Sequence, residues 1–247
     1  MITFLIQTAE RDNQIMHDFG FHLREAIDYN NWFYNEEVYS YRICNKPERR
    51  LVTDINQTIP VGSIEFVLNF YKEFLGIDNI KPINIPTELC SEQYLHRKIM
   101  NLNEIDVSET NNEIVFAKSR DKFKEYTEIA PIKDLPKDKD LIISECVDIL
   151  SEWRTFVFRG EILDIRNYSG DFRYFPNIGA IEDMVKAYKT APTAYTIDVA
   201  VLDKGEVRPT ALIEVHQFFS CGLYGFRDYK LLPRMFIETH KEIMKGI

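Results

Sequence analysis

Two acids and a histidine inside two neighbouring apolar runs are the residues of this sequence that packing alone does not explain. In residues 194–202, AYTIDVAVL, the alternation places Ile197, Val199 and Val201 on one face and Thr196, Asp198 and Ala200 on the other. In residues 210–216, TALIEVH, Glu214 and His216 stand two positions apart and share a face of a strand. If the link beginning DKGE joins the runs as an antiparallel pair, Asp198 lies across from Glu214. Two carboxylates that close repel by a few kcal/mol unless a proton or cation intervenes. Mg²⁺ held by one or two carboxylates and by phosphate oxygens of a substrate would supply that cation. The alternative is a hairpin whose wet face carries both acids.

Candidate partners for phosphate precede this pair. The run EIVFAKSRDKFKEY ends an apolar strand in Lys118 and continues through Arg120, Lys122 and Lys124, a cation cluster able to lie over phosphates or else a solvated charge run. Glu145 and Glu152 follow, seven residues apart, then Arg154 and Arg166 in or near strands, where a buried arginine needs an anionic partner. Arg97 is a further candidate for an anionic substrate. Cys221 beside Ser220 lacks a histidine–acid pairing at nucleophile-like spacing, apart from His216, which the metal face explains better. His17, His22, His96 and His240 lie outside the cluster and read as surface or capping residues.

The elements that must position these groups fall into two parts. Residues 1–100 read as a small α/β unit. A buried strand spans residues 2–6, an amphipathic helix residues 12–29, and a Pro-Val-Gly-Ser turn leads into a second helix with Ser63 as N-cap and Gly76 as its end. An extended connector, KPINIPTEL, and a short helix, EQYLHRKIM, complete it. Residues 101–247 switch to strands, EIVFAK, LIISECV, WRTFVFRG, EILDIRNY, AYTIDVAVL and TALIEVH. A helix over residues 180–189 interrupts them, and a final helix carries Pro233 at its start. The predicted class is α+β with a largely antiparallel C-terminal sheet.

Composition narrows the partners. The 247 residues are 45% hydrophobic and 28% charged, enough for a sizeable core. A net charge of −9 gives no bulk attraction to nucleic acid or an anionic membrane. Cys44, Cys90, Cys146 and Cys221 form no CxxC pair, which argues against a zinc site or disulfide framework and for a reducing, cytoplasmic setting. The N-terminal apolar run is too short for a signal segment, and no stretch approaches the roughly 20 apolar residues of a membrane span. A homodimer is compatible with all of this.

In order and spacing these residues resemble the ATP-grasp superfamily over residues 113–225, and SEWRTFVFRGEILDIRNYSGD and IEVHQFFSCGLYG are similar to its small bacterial and phage members with two hallmark arginines and a lysine. The resemblance implies ATP and Mg²⁺ as cofactors. Lys118 and Lys122 or Lys124 would neutralise phosphates, the backbone of Glu145, Cys146 and Val147 would meet the adenine edge, and Glu152 would take the ribose hydroxyls. Asp198, Glu214 and His216 would form the metal shell, and Arg154 and Arg166 would stabilise the transferred phosphoryl group or hold a carboxylate. The implied chemistry is carboxylate–amine ligation through an acyl phosphate, with small-molecule or peptide carboxylates and amines as substrates. An ATP-binding protein or phosphotransferase on the same fold is the alternative. A nucleic-acid ligase is disfavoured, because no KxDG-type lysine motif is present. The FFSCGLYG segment would cover the site, or pack as core. The departure from the family is His216, where asparagine is usual.

Overall fold

A computed structural model describes residues 1–8, 18–104, 112–120 and 126–246. Three sheets organise them. The first is parallel, in the order β2-β1-β3, from β1 (Ile2–Gln7), β2 (Tyr39–Cys44) and β3 (Thr58–Val61). Helix α1 (Asp18–Tyr34) follows β1, and α2 (Ile64–Leu75) follows β3. Side chains alternate along a strand, so β1 feeds two cores. Phe4 and Ile6 pack with Phe19, Leu23 and Ile27 of α1, while Leu5 packs with Phe66, Val67 and Phe70 of α2.

Helix α3 (Glu92–Leu95) leads into the second sheet, which is antiparallel in the order β4-β7-β5-β6. Its strands are β4 (Ile99–Asn101), β5 (Ile114–Ser119), β6 (Thr127–Pro131) and β7 (Leu141–Glu145). The third sheet is also antiparallel, in the order β11-β10-β8-β9, from β8 (Ile149–Phe158), β9 (Glu161–Gly170), β10 (Ala194–Leu202) and β11 (Thr210–Gln217). Helix α4 (Ile178–Ala187) covers one face, packing Ile181 and Met184 against Tyr195, Ile197 and Val199. On the other face, Phe156 and Ala194 join the core built around α1 and the C-terminal helix α5 (Leu232–Lys245), whose Pro233 lies in the first turn.

Most expected elements are present, with instructive differences. Ser63 caps α2 by accepting from the Phe66 amide at 3.2 Å, and Gly76 ends it at φ 68°. Pro60 and Val61, expected in a turn, belong to β3. Proline is tolerated there because β3 is an edge strand. The expected helix EQYLHRKIM is helical only to Leu95. His96, at φ 48°, ends it, and the chain turns into β4. The first helix is described from Asp18 onward, so the expected start at residue 12, like His17, lies outside the described residues. His240 is not a surface residue. It is buried on α5 with Nδ1 2.8 Å from the Tyr71 hydroxyl, and burial pushes its pKa down to about 4. No helix among the described residues is long and apolar enough to cross a membrane.

Candidate functional site

Pairing register sets the site. Glu214 on β11 stands opposite Asp198 on β10, Asp198 opposite Arg154 on β8, and Arg154 opposite Arg166 on β9. The four residues form one row across the sheet, two acids followed by two arginines. A solvated face is ruled out for the acids, since Asp198 is 2% exposed and Glu214 is 9% exposed.

Burial is possible because each acid has a cation. Arg154 Nε and Nη2 donate to Asp198 Oδ1 and Oδ2 at 2.8 and 2.7 Å, and Nη1 donates to the Gly222 carbonyl at 3.2 Å. Lys118 reaches from β5 of the second sheet to Glu214 Oε2 at 3.1 Å. His216 Nε2 lies 3.0 Å from Glu214 Oε1 and 3.3 Å from Asp198 Oδ2. Burial raises the Asp198 pKa, but hydrogen bonds from Arg154 and His216, with their charges, outweigh it and hold the carboxyl below its ordinary value. For His216, burial works against protonation, while bonds to Asp198 and Glu214 and their charges raise its pKa overall.

A cavity of about 430 Å³ opens between the second and third sheets, a size suited to a small-molecule ligand. Phe116 and isoleucines such as Ile99, Ile142 and Ile213 make its walls apolar. Lys118, Glu145, Cys146, Val147, Glu152 and Glu214 supply polar side chains and a stretch of backbone. Residues 146–148 link β7 to β8 and so join the two sheets, which is where a hinge belongs. Expected residues far apart in sequence therefore line one space. Arg166 is in the row but outside this cavity, with Nε donating to Asp164 Oδ2 at 2.7 Å. Lys122 and Lys124 lie outside the described residues.

Further residues enter the site. Arg97 also lines the cavity. It is buried, donates to the Leu95 and Leu212 carbonyls at 3.1 and 2.7 Å, and burial lowers its pKa to about 10. Tyr168 is marked by no motif in the sequence. It donates to Glu152 Oε2 at 2.7 Å and stacks on Tyr224 at 5.1 Å, while the Arg154 guanidinium lies 5.8 and 5.1 Å from the two ring centres. The one available signal is its place two residues beyond Arg166. Of the aromatics in FFSCGLYG, Phe218 is core and Tyr224 is 45% exposed.

One oxygen or nitrogen from each of Asp198, Glu214 and His216 lies within 4.8 Å of the others, a convergence that fits a divalent cation. The carboxylates suit a hard ion, and the imidazole is the less apt donor. Lys118 and Arg154 bring two positive charges against the two acids.

The comparisons agree with this arrangement. Among solved structures, D-alanine–D-alanine ligase from Bacillus anthracis complexed with ATP matches at TM-score 0.55 and 13% identity, over 99% of this chain and 98% of that one. N5-carboxyaminoimidazole synthetase from Staphylococcus aureus matches at TM-score 0.60 and 10% identity, over 96% and 77%. The ATP-grasp ligase PsnB complexed with minimal precursor matches at TM-score 0.53 and 11% identity, over 96% and 99%. At such identities the likeness is one of fold. A comparison with curated protein sequences finds no match. The model of an ATP-grasp domain family, the second family of the clade named for two arginines and a lysine, matches residues 94–232, more than half of the sequence. The chain belongs to this ATP-grasp family, and its α+β architecture is the ATP-grasp fold.

Proposed function

We propose that this protein is an ATP- and Mg²⁺-dependent carboxylate–amine ligase of peptide or amino-acid type. The observation that carries the reading is the ion pair between Lys118 of one sheet and Glu214 of the next. It sits at the edge of a cavity that also holds Glu145–Val147 and Glu152. A nucleotide gripped between the sheets would place its base along the apolar walls and the Glu145–Val147 backbone. Glu152, oriented by Tyr168, would take the ribose hydroxyls. Lys118 and Arg97 would face the phosphates, with Lys122 as a further candidate. Residues 1–100 would close the cleft over the 101–247 nucleotide unit, with β4 crossing that boundary. A cytoplasmic location fits the free thiols.

Asp198, Glu214 and His216 would hold Mg²⁺. When bound, the ion screens the phosphate oxygens against the incoming anion. Lys118 and Arg154 already balance the two acids, so the ion is best retained together with an anionic polyphosphate. Arg154, with Arg166 behind it, would orient the substrate carboxylate for attack on the γ-phosphorus. The products are an acyl phosphate and ADP; an amine then displaces phosphate and forms the C–N bond. The apolar cavity walls keep water from the acyl phosphate. The structural neighbours include a ligase complexed with ATP, which supports this reading over a silent fold.

Calorimetric titration of ATP with Mg²⁺ tests the site. Glu214→Ala should weaken binding at least about tenfold, about 1.4 kcal/mol; unchanged affinity sinks the metal assignment. Product analysis tests the reaction. A ligase releases ADP and inorganic phosphate only when a carboxylate and an amine are both present, whereas a phosphotransferase forms ADP and a stable phosphorylated product without free phosphate.

A further inference from the structure

A second cavity, of about 160 Å³, lies on the other side of the charged network, between α2, residues 80–84 and the chain just after β11. Glu214 lines the first cavity; Arg154 and His216 line this one. The Arg154–Asp198–His216–Glu214 network is thus a shared wall, and a molecule in the second cavity is separated from a nucleotide in the first by those side chains alone. Most of the second cavity is apolar, with Ile64 and Leu68 of α2, Ile80, Ile83 and Phe219 around it.

The walls are built before any ligand arrives. The Val215 amide of β11 donates to the Asn84 carbonyl at 2.6 Å, and Gln217 Nε2 donates to the Lys81 carbonyl at 2.9 Å, so residues 80–84 are stitched to the strand that carries Glu214 and His216. Asn84 takes a left-handed φ of 57° to make that bridge, a conformation asparagine tolerates. Ser220 Oγ donates to the Gly62 carbonyl at 2.8 Å and ties the opposite end to the turn before α2.

Size and charge define what fits. An apolar cavity of about 150 Å³ holds one benzene molecule, so this space takes one phenyl ring or one branched aliphatic side chain. Three of the five Arg154 N–H groups are used by Asp198 and Gly222, which leaves two for an anion at the polar end. Resting on the ligase reading above, we infer that the carboxylate substrate carries a single apolar side group of leucine to phenylalanine size. That group is seated among Ile64, Leu68 and Phe219, with the carboxylate on Arg154. The same group is offered by a free amino acid or by the C-terminal residue of a peptide.

Calorimetry of the full chain with ADP and Mg²⁺ present, using L-phenylalanine, L-leucine, glycine, L-aspartate and the tripeptide Gly-Gly-Phe, tests this. L-Phenylalanine, L-leucine or the tripeptide should bind at least about tenfold tighter than glycine and L-aspartate, and whichever of the free amino acids and the tripeptide binds tighter names the source. Ile64 is 37% exposed at the cavity rim, so Ile64→Trp blocks it with little burden on folding. It should weaken the apolar ligand about tenfold or more with ATP affinity unchanged. Leu68→Ala, one turn along the same face, should shift preference toward L-tryptophan. Equal binding of glycine or L-aspartate, no binding of any apolar ligand, or no effect of Ile64→Trp overturns the assignment. Apolar binding without ADP and phosphate release from any amine would leave the cavity assigned and remove the ligase reading. Turnover with L-aspartate alone would do the reverse.

Discussion

Strands β1 and β10 both run through the interior of their sheets, and both are buried by opposite means. Phe4, Leu5 and Ile6 in β1 are at most 1% exposed, and helices on both faces supply apolar neighbours. All nine residues of β10 are buried too, yet one of them is Asp198, held by the Arg154 guanidinium. Apolar burial is non-directional and tolerates many sequences. A buried carboxylate has strict requirements, because desolvating it costs several kcal/mol unless a matched cation and hydrogen bonds offset the loss. The contrast separates residues that hold the fold from residues that the fold holds in place.

Removing one partner should break that contrast most sharply. Asp198→Ala leaves Arg154 buried without its counter-ion and should cost about 3–5 kcal/mol in chemical denaturation. Replacing both, Asp198→Leu with Arg154→Met, should restore stability or exceed it by about 1–4 kcal/mol while ATP-driven product formation stays absent. A double variant as unstable as the single one would show that the cost comes from packing.

The matching change in β1 sharpens the comparison from the other side. Leu5→Ala opens a space against α2 and should cost about 2–5 kcal/mol, with nucleotide affinity of the folded protein unchanged. A loss of affinity on titration would mean that the first sheet shapes the nucleotide cavity directly.

A smaller and pH-dependent effect belongs to the apolar side of the molecule. His240 is buried against Tyr71, with its pKa lowered to about 4, so the folded chain leaves it neutral where the unfolded chain protonates it. Its contribution is complete above about pH 6.5 and is lost as pH falls toward 4, by at most about 3 kcal/mol. Urea unfolding at pH 7, 5 and 4 should show this decline, and His240→Phe should flatten it.

Much of the charged side was legible because its signals are local. Alternation in AYTIDVAVL and TALIEVH puts Asp198 and Glu214 on one face, and the short link between the runs puts them opposite each other. That Arg154 is the partner of Asp198 was not legible, since it depends on β8 pairing with β10 across an intervening helix. Tyr168 was hidden for a related reason: an irregularity in the β8–β9 pairing lies beside it. In the first part of the chain, β2 is half-exposed and barely alternates, and Pro60 disguised β3. His240 reads wrongly as a surface residue because a lone histidine shows no partner in sequence; Tyr71 is 169 positions away.

The row Glu214, Asp198, Arg154 and Arg166 also bears on how the chain finds its fold. These residues meet in a single alignment of four strands. A slip of β10 by one position would turn Asp198 toward Ile181 and Met184 of α4, stripped of its counter-ion. Mispaired hairpins would then carry bare charge into an apolar layer and be rejected, so the residues assigned to chemistry also act as an alignment check during folding.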